Sequence, residues 1–293
     1  MTRAGFVALA GRPNAGKSTF VNRVVGEHVA IVSDKPQTTR RAVRGIATIA
    51  DLQVVLVDLP GVQRPRDPLT ERMQRRVEQE LKDSDVALML VSGEASVGPG
   101  DRFIARAVRA SRLPAVTVVN KIDRLSPTRV AEALQAAAAL GVEGEVFPIS
   151  ARTGEGVEEL VEHLGALLPE GPFLYPEQAR SDQSESVRLA ELVREQVLLR
   201  TREELPHAVE VEVEEVEVRE DGLLTVQALV WAETESQKGI LVGRGGGMVR
   251  AIGTAARERI EAMEGRKVHL DLHVRVRKNW RRDDGLLDRL GIE

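Results

Sequence analysis

Gly11-Arg12-Pro13-Asn14-Ala15-Gly16-Lys17-Ser18 decides how the first half of the chain is read. It matches GxxxxGK[ST] at every fixed position, between an apolar run at 6–10 and a helical pattern at 19–25. That strand-loop-helix context separates a phosphate-binding loop from an ordinary glycine turn. Gly11 and Gly16 let backbone N–H groups turn inward around phosphates, and Arg12, Pro13, Asn14 and Ala15 form the span between them. The helix N-terminus behind the loop adds a positive dipole end. Lys17 is placed to neutralise β/γ-phosphate charge, Ser18 to ligate Mg²⁺, and Thr19 follows into the same site.

Around this loop, apolar runs at 6–10, 46–50, 54–57, 86–91, 115–119 and 146–149 read as strands. Helical patterns lie between them at 19–25, 69–81, 101–110 and 127–140, with a further one at 157–168. This alternation predicts an α/β domain, a mainly parallel sheet with helices on both faces, over residues 1–170. The breakers Pro169-Glu170-Gly171-Pro172 and Pro176 mark a linker over 171–183. Beyond it, residues 184–293 predict a smaller α+β domain of order αββααβ. Its parts are a helix at 184–205 ended by Pro206, strands at 207–219 and 223–233 joined by Asp221-Gly222, helices at 237–242 and 248–263, and a strand at 267–277.

A hydrophobic fraction of 42% supplies two cores, and the absence of cysteine excludes disulfides, thiolate catalysis and sulfur-ligated zinc. No apolar stretch nears the roughly 18 residues of a membrane span, and the opening Met1-Thr2-Arg3-Ala4-Gly5 leads straight into a strand. A cytosolic protein is expected. The net charge of −4 conceals an asymmetry: residues 182–237 carry 5 basic and 15 acidic side chains, residues 238–293 carry 13 and 8. Such a pair of segments draws a polyanion to one face and repels it from another.

The phosphate loop alone does not separate a GTPase from an ATPase or a nucleotide kinase. Asn120-Lys121-Ile122-Asp123 follows the run at 115–119, at the edge where such a sheet holds ligands. A carboxylate there accepts two hydrogen bonds from N1–H and the exocyclic amine of guanine, which adenine cannot supply. Ser150-Ala151 ends the next strand and offers a backbone N–H to guanine O6. Asp58-Leu59-Pro60-Gly61 follows the run at 54–57: Asp58 is placed at Mg²⁺ and the Gly61 N–H at the γ-phosphate. Thr39, in the polar segment Pro36-Gln37-Thr38-Thr39-Arg40, is expected as a second protein ligand of Mg²⁺, with Thr38 as the alternative.

This set resembles the G-domain of bacterial translation-factor-related GTPases. Many of these carry a glutamine where this chain has Val62, whose side chain has no polar atom with which to orient water. The resemblance implies that Asn14 helps to bind a potassium ion, and that intrinsic turnover is slow. Lys17, Asn14, Thr39 and Gly61 are then the catalytic set.

In the second half, Ile240-Leu241-Val242-Gly243-Arg244-Gly245-Gly246-Gly247-Met248 holds a Gly-x-x-Gly between two helices. In a KH domain such a loop clamps the backbone of about four nucleotides. Arg244 and Arg250 supply charge, and Val274-Arg275-Val276-Arg277-Lys278-Asn279-Trp280-Arg281 interleaves bases with one aromatic. From it Arg277, Lys278, Trp280 and Arg281 are candidate RNA contacts, Trp280 as a stacking platform. The two-domain combination resembles the Era family of GTPases over nearly the whole chain, with Leu59 standing where that family usually has threonine.

The resemblance implies a monomeric GTP/GDP switch that binds the 3′ end of small-subunit ribosomal RNA on the 30S subunit, acts in its assembly and in rRNA maturation, and is cytoplasmic with weak peripheral membrane association. Two other classes stay open. A membrane-associated signalling GTPase would use the basic tail on anionic lipid, and a nucleotide kinase is disfavoured by residues 120–123.

Overall fold

The computed structural model describes residues 1–35, 37–61 and 67–292. Pro36 and Val62 lie outside the described residues. The chain divides into two units, Met1–Asp182 and Gln183–Ile292.

In the first unit the strands β1 (Arg3–Gly11), β2 (Val43–Ile49), β3 (Leu52–Asp58), β4 (Val86–Ser92), β5 (Ala115–Asn120) and β6 (Val146–Ile149) form one sheet in the order β2-β3-β1-β4-β5-β6. Only β2 runs antiparallel. The helices are α1 (Lys17–Val25), α2 (Pro68–Asp83), α3 (Pro99–Ser111), α4 (Pro127–Ala138) and α5 (Val157–Leu167). Along β1, Val7 and Leu9 pack with Phe20, Val21, Leu160 and Leu164 of α1 and α5. Ala8 and Ala10 pack on the opposite face with Val77, Leu81, Ile104 and Val108 of α2 and α3. A strand apolar on both faces belongs to the centre of such a sheet. Successive strands leave β1 in opposite directions, so the carboxyl ends of β1, β3, β4 and β5 converge on a topological switch point.

Element boundaries shift where local chemistry overrides periodicity. α3 starts at Pro99 rather than at residue 101, because proline suits a first helical position and Asp101 accepts the Gly98 N–H. Ala50, expected at the end of a strand, has φ 50° and turns the β2–β3 hairpin. The expected linker departs most. The Thr2 hydroxyl donates to Gly171 O at 2.8 Å, Arg180 O accepts from Ile46 N at 2.9 Å, and buried Gln53 accepts from Leu174 N and Tyr175 N at 2.8 and 2.9 Å. Residues 171–182 are therefore a strap hydrogen-bonded along the first unit, held by a polar side chain inside β3.

The second unit contains α6 (Glu185–Arg200), α7 (Leu205–Ala208), β7 (Glu210–Val218), β8 (Leu224–Ala232), α8 (Glu235–Val242), α9 (Gly247–Glu264), β9 (Val268–Val276) and α10 (Asp284–Arg289). The sheet order is β7-β8-β9, with β7 antiparallel and β9 parallel to β8. β7 is an outer strand carrying Glu210, Glu212, Glu214, Glu215 and Glu217, with a bulge between Val213 and Glu215. The helix expected to reach 205 stops at Arg200, and α7 takes up Leu205, Pro206 and Ala208 as buried residues. α10, which the periodicity did not reveal, is capped by Asp283 and buries Leu286 and Leu287.

Trp280 corrects the expectation of a base-stacking platform. It is fully buried, and its indole N–H donates to Ala208 O at 2.9 Å. The cause is Asn279, whose φ of 54° turns the chain inward after the basic strand end. A full-length Trp280→Ala variant is expected to lose about 3–5 kcal/mol of stability in the second unit. Urea unfolding followed by amide exchange over 204–292 checks this, and an unchanged midpoint would return Trp280 to the surface.

Candidate active site and nucleic-acid interface

The phosphate loop joins β1 to α1 at the switch point. Asn14 and Gly16 have φ 64° and 97°, the left-handed region open to glycine and tolerated by asparagine, so successive amides can face one cavity. Gly11 lies so close to β4 that a Cβ would stand 2.8 Å from Leu90 O, and a Cβ on Gly61 would stand 2.8 Å from the Pro13 ring. The second contact brings the Asp-x-x-Gly loop against the phosphate loop. Arg12 does not face that side: its guanidinium pairs at 3.2 Å with buried Asp101 of α3 and braces the loop from outside. Lys17 is buried, and its ammonium donates to Gly11 O and Arg12 O at 3.1 and 3.3 Å.

Three oxygens meet beside Lys17. Ser18 Oγ donates to Asp58 Oδ2 at 2.6 Å, and Thr39 Oγ1 lies 3.3 Å from each. Thr38, the alternative, turns away to donate to Lys35 O at 2.6 Å. Asp58 is fully buried, and its Oδ1 has no hydrogen-bond partner among the described residues. Burial pushes the Asp58 carboxyl up, against the opposing pull of Lys17, Ser18 and Thr39. Burial likewise pushes Lys17 down, against Asp58. A buried carboxylate with an unused oxygen beside two hydroxyls suits a hard, oxygen-seeking divalent cation, so this donor set fits Mg²⁺. Leu59 enters the site through backbone alone, since its side chain is packed in the core with Val77 and Leu81.

The residues expected to read guanine are assembled by Asn120. Its carboxamide donates to Ala15 O at 2.9 Å and accepts from Lys121 N at 2.8 Å and Ala151 N at 3.0 Å. Phosphate loop, 120–123 turn and 150–152 loop are thereby joined through one buried side chain. Lys121 has φ 71°, and its ammonium pairs with Glu94 at 2.8 Å. Asp123 Oδ1 accepts from the Ser150 hydroxyl at 2.7 Å, and Oδ2 from Arg152 at 2.7 Å. Its carboxyl is held below the usual carboxylate range, first by Ser150 and then by Arg152. Glu94, Asp101 and Arg152 were not found by sequence reasoning, because none belongs to a spaced motif and each is recruited only by folding.

In the second unit, α8 ends on Gly243 and α9 begins at Gly247. Gly243, Gly245 and Gly246 have φ 72°, 56° and 76°, a run of left-handed residues that only glycine adopts readily. Arg244 and Arg250 are exposed beside this loop. α9 runs from the loop to β9, whose start pairs with the start of β8, so the loop and the carboxyl end of β9 share one end of the unit. Lys278 is exposed there, and Arg281 is half-buried. Arg277 pairs with Asp283 and lies 5.9 Å over the Trp231 ring, so its charge is partly committed inside the unit. Ile240, three residues before Gly243, is a 54% exposed apolar side chain beside the loop. The helical pattern assigned only a helix there.

Phosphate loop, Mg²⁺ oxygens and guanine-reading turn, followed by a glycine-loop α+β unit, define a GTP-hydrolysing P-loop protein with a nucleic-acid-binding module. The chain matches the family described as 50S ribosome-binding GTPase over residues 6–121 and the KH domain over residues 204–281. It is 45% identical to the GTPase Era of Mycolicibacterium smegmatis over 295 residues, 99% of each chain. Against the GTPase Era of Nocardioides sp. it is 48% identical over 301 residues, 99% of this chain and 96% of that one. Aquifex aeolicus Era, crystallised as a single-residue variant with GDP and AlF4−, superposes with a TM-score of 0.96 at 33% identity over 99% of both chains. A crystal structure of Era with MgGDPNP and nucleotides 1506–1542 of 16S ribosomal RNA superposes at 0.95 and 32% identity, over 100% of this chain and 99% of that one. The chain belongs to the Era family of GTPases, and its reaction is hydrolysis of GTP to GDP and phosphate.

Asn120→Ala leaves Ala15 O and the Ala151 N–H without their buried partner, at about 1–3 kcal/mol for each. GDP affinity measured by calorimetry is expected to fall at least tenfold (~1.4 kcal/mol). An unchanged affinity would detach Asn120 from the binding geometry.

Proposed function

We propose that this GTPase is a switch in assembly of the small ribosomal subunit and in rRNA maturation, binding single-stranded RNA near the 3′ end of 16S ribosomal RNA through its second unit. The observation that carries the reading is the loop at 243–246, with three left-handed glycines and exposed Arg244. It is supported by the full-length likeness to an Era captured with nucleotides 1506–1542 of that RNA. Glycines allow the sugar-phosphate backbone to approach the amides at the start of α9, and Arg244, Arg250, Lys278 and Arg281 supply charge around it.

In the first unit, the backbone N–H groups of residues 14–18 and the Lys17 ammonium hold the β/γ-phosphates. Asp123 selects guanine, with Ser150 steadying it and the Ala151 N–H at O6. Ser18, Thr39 and Asp58 would hold Mg²⁺, which neutralises charge on the phosphate oxygens when bound. The Gly61 N–H, on a loop that packs against Pro13, is the group assigned to sense the γ-phosphate. Asn14 donates to Asp34 O at 2.6 Å, which leaves its carboxamide oxygen, with that carbonyl, as donors for a potassium ion. Val62 lies outside the described residues and cannot orient water by hydrogen bonding. Intrinsic turnover on the order of 10⁻⁴–10⁻² per second follows for a switch lacking its activator. The protein works as a cytoplasmic monomer, and its basic tail gives at most peripheral contact with anionic membrane.

The test is binding of the full-length protein to a short RNA matching the 3′ end of 16S rRNA, with a GTP analogue or GDP. Tight binding with the analogue, weaker binding with GDP and a loss of at least tenfold (~1.4 kcal/mol) in Arg244→Glu are expected. In Arg244→Ala the salt dependence should fall by about 0.7 in slope, the share of one single-strand phosphate contact. Binding indifferent to nucleotide and to both substitutions would leave a GTPase without this partner.

A further inference from the structure

The guanine-reading loop carries one charged group that no motif explains. Arg152 reaches Asp123 Oδ2 from Nη2 at 2.7 Å and from Nε at 3.1 Å, while Ser150 holds Oδ1 at 2.7 Å. One loop therefore grips both carboxylate oxygens. The Arg152 side chain is 67% exposed and that of Asp123 only 9%, so the guanidinium reaches in from solvent to a nearly covered acid. The loop itself is fixed at the backbone: Ala151 N donates to Asn120, and Arg23 of α1 donates to Ala151 O at 3.1 Å and to Arg152 O.

We propose that Arg152 is a positioning residue for base selection, holding the rotamer and the ionised form of Asp123 so that one acceptor site on each oxygen faces the two donors of guanine. This rests on the reading of Asp123 as the base selector. An ionised carboxylate offers about four acceptor directions. Ser150 uses one on Oδ1 and the arginine fork occupies the flank of Oδ2, leaving a direction on each oxygen for N1–H and the exocyclic amine. The terminal torsion of aspartate is broad, and two lateral contacts remove that freedom before the base arrives. The other charged neighbour is Arg124, in the same turn as Asp123, and its guanidinium is engaged by Glu94 at 2.7 Å. Ser150 and Arg152 both favour the charged form of Asp123. Removing Arg152 therefore moves its protonation to higher pH, and guanine binding, which needs the charged form, is lost earlier as pH falls.

The experiment displaces a fluorescent GDP analogue from the full-length protein with GDP, IDP and XDP, across a pH series, for the parent, Arg152→Ala, Arg152→Lys and Asp123→Asn. IDP lacks the exocyclic amine and so reads the two-bond geometry. Arg152→Ala is expected to weaken GDP roughly five- to tenfold, as for loss of one charge-assisted contact. IDP should weaken less, the GDP affinity should begin to fall at higher pH than in the parent, and Arg152→Lys should restore part of each. An unchanged GDP-to-IDP ratio with superimposable pH profiles overturns the role of Arg152, even where Asp123→Asn shifts preference to XDP and so upholds the base reading. An Asp123→Asn protein that still prefers GDP removes the base reading and this proposal together.

Discussion

Everything at the nucleotide site depends on the carboxamide of Asn120. It is 2% exposed and makes three backbone contacts, to residues 15, 121 and 151, that lie far apart in the chain. Only an amide places a donor and an acceptor on one short planar group: aspartate lacks the donor and would set a charge against Ala15 O, and a hydrocarbon lacks both. The same side chain dictates Gly16, because a Cβ there would stand 2.1 Å from Asn120 Nδ2 and the residue needs φ 97°. Phosphate recognition and base recognition are thus one packing problem solved at one atom pair.

The charges beside it obey the opposite logic. Lys17 and Asp58 are both buried, and for each the cost of desolvation outweighs the attraction of the other. Within the protein alone this is a poor arrangement. Polyphosphate and a divalent cation, bound there, would each give one of these buried charges a partner of opposite sign.

The sheet and both units were legible in the sequence because strand and helix periods alternate cleanly up to residue 168 and glycine and proline punctuate the rest. The phosphate loop, Asp58, Asn120 and Asp123 could be singled out as candidates because the chemistry expected of them fixes both residue type and spacing. What escaped was set by distant contacts. Buried Gln53 turned an apparent linker into a strap, Asn279 rotated Trp280 from a basic surface run into the core, and Arg152 joined the site through a neighbour 29 residues away. A local pattern holds no record of such partners. In residues 275–282 the composition suited nucleic acid and packing equally, and only the backbone turn decided between them.

The glutamates of β7 have a second meaning beyond repelling a polyanion. An outer strand offers backbone groups to any other extended chain, the route by which small sheets aggregate. Glu214 and Glu217 are exposed on that strand, and the bulge at Val213/Glu215 breaks its flat register. A second copy brought edge to edge would meet like charges out of step with its own hydrogen-bonding groups. The acidity that disfavours a polyanion thus also disfavours pairing of this strand with a copy of itself.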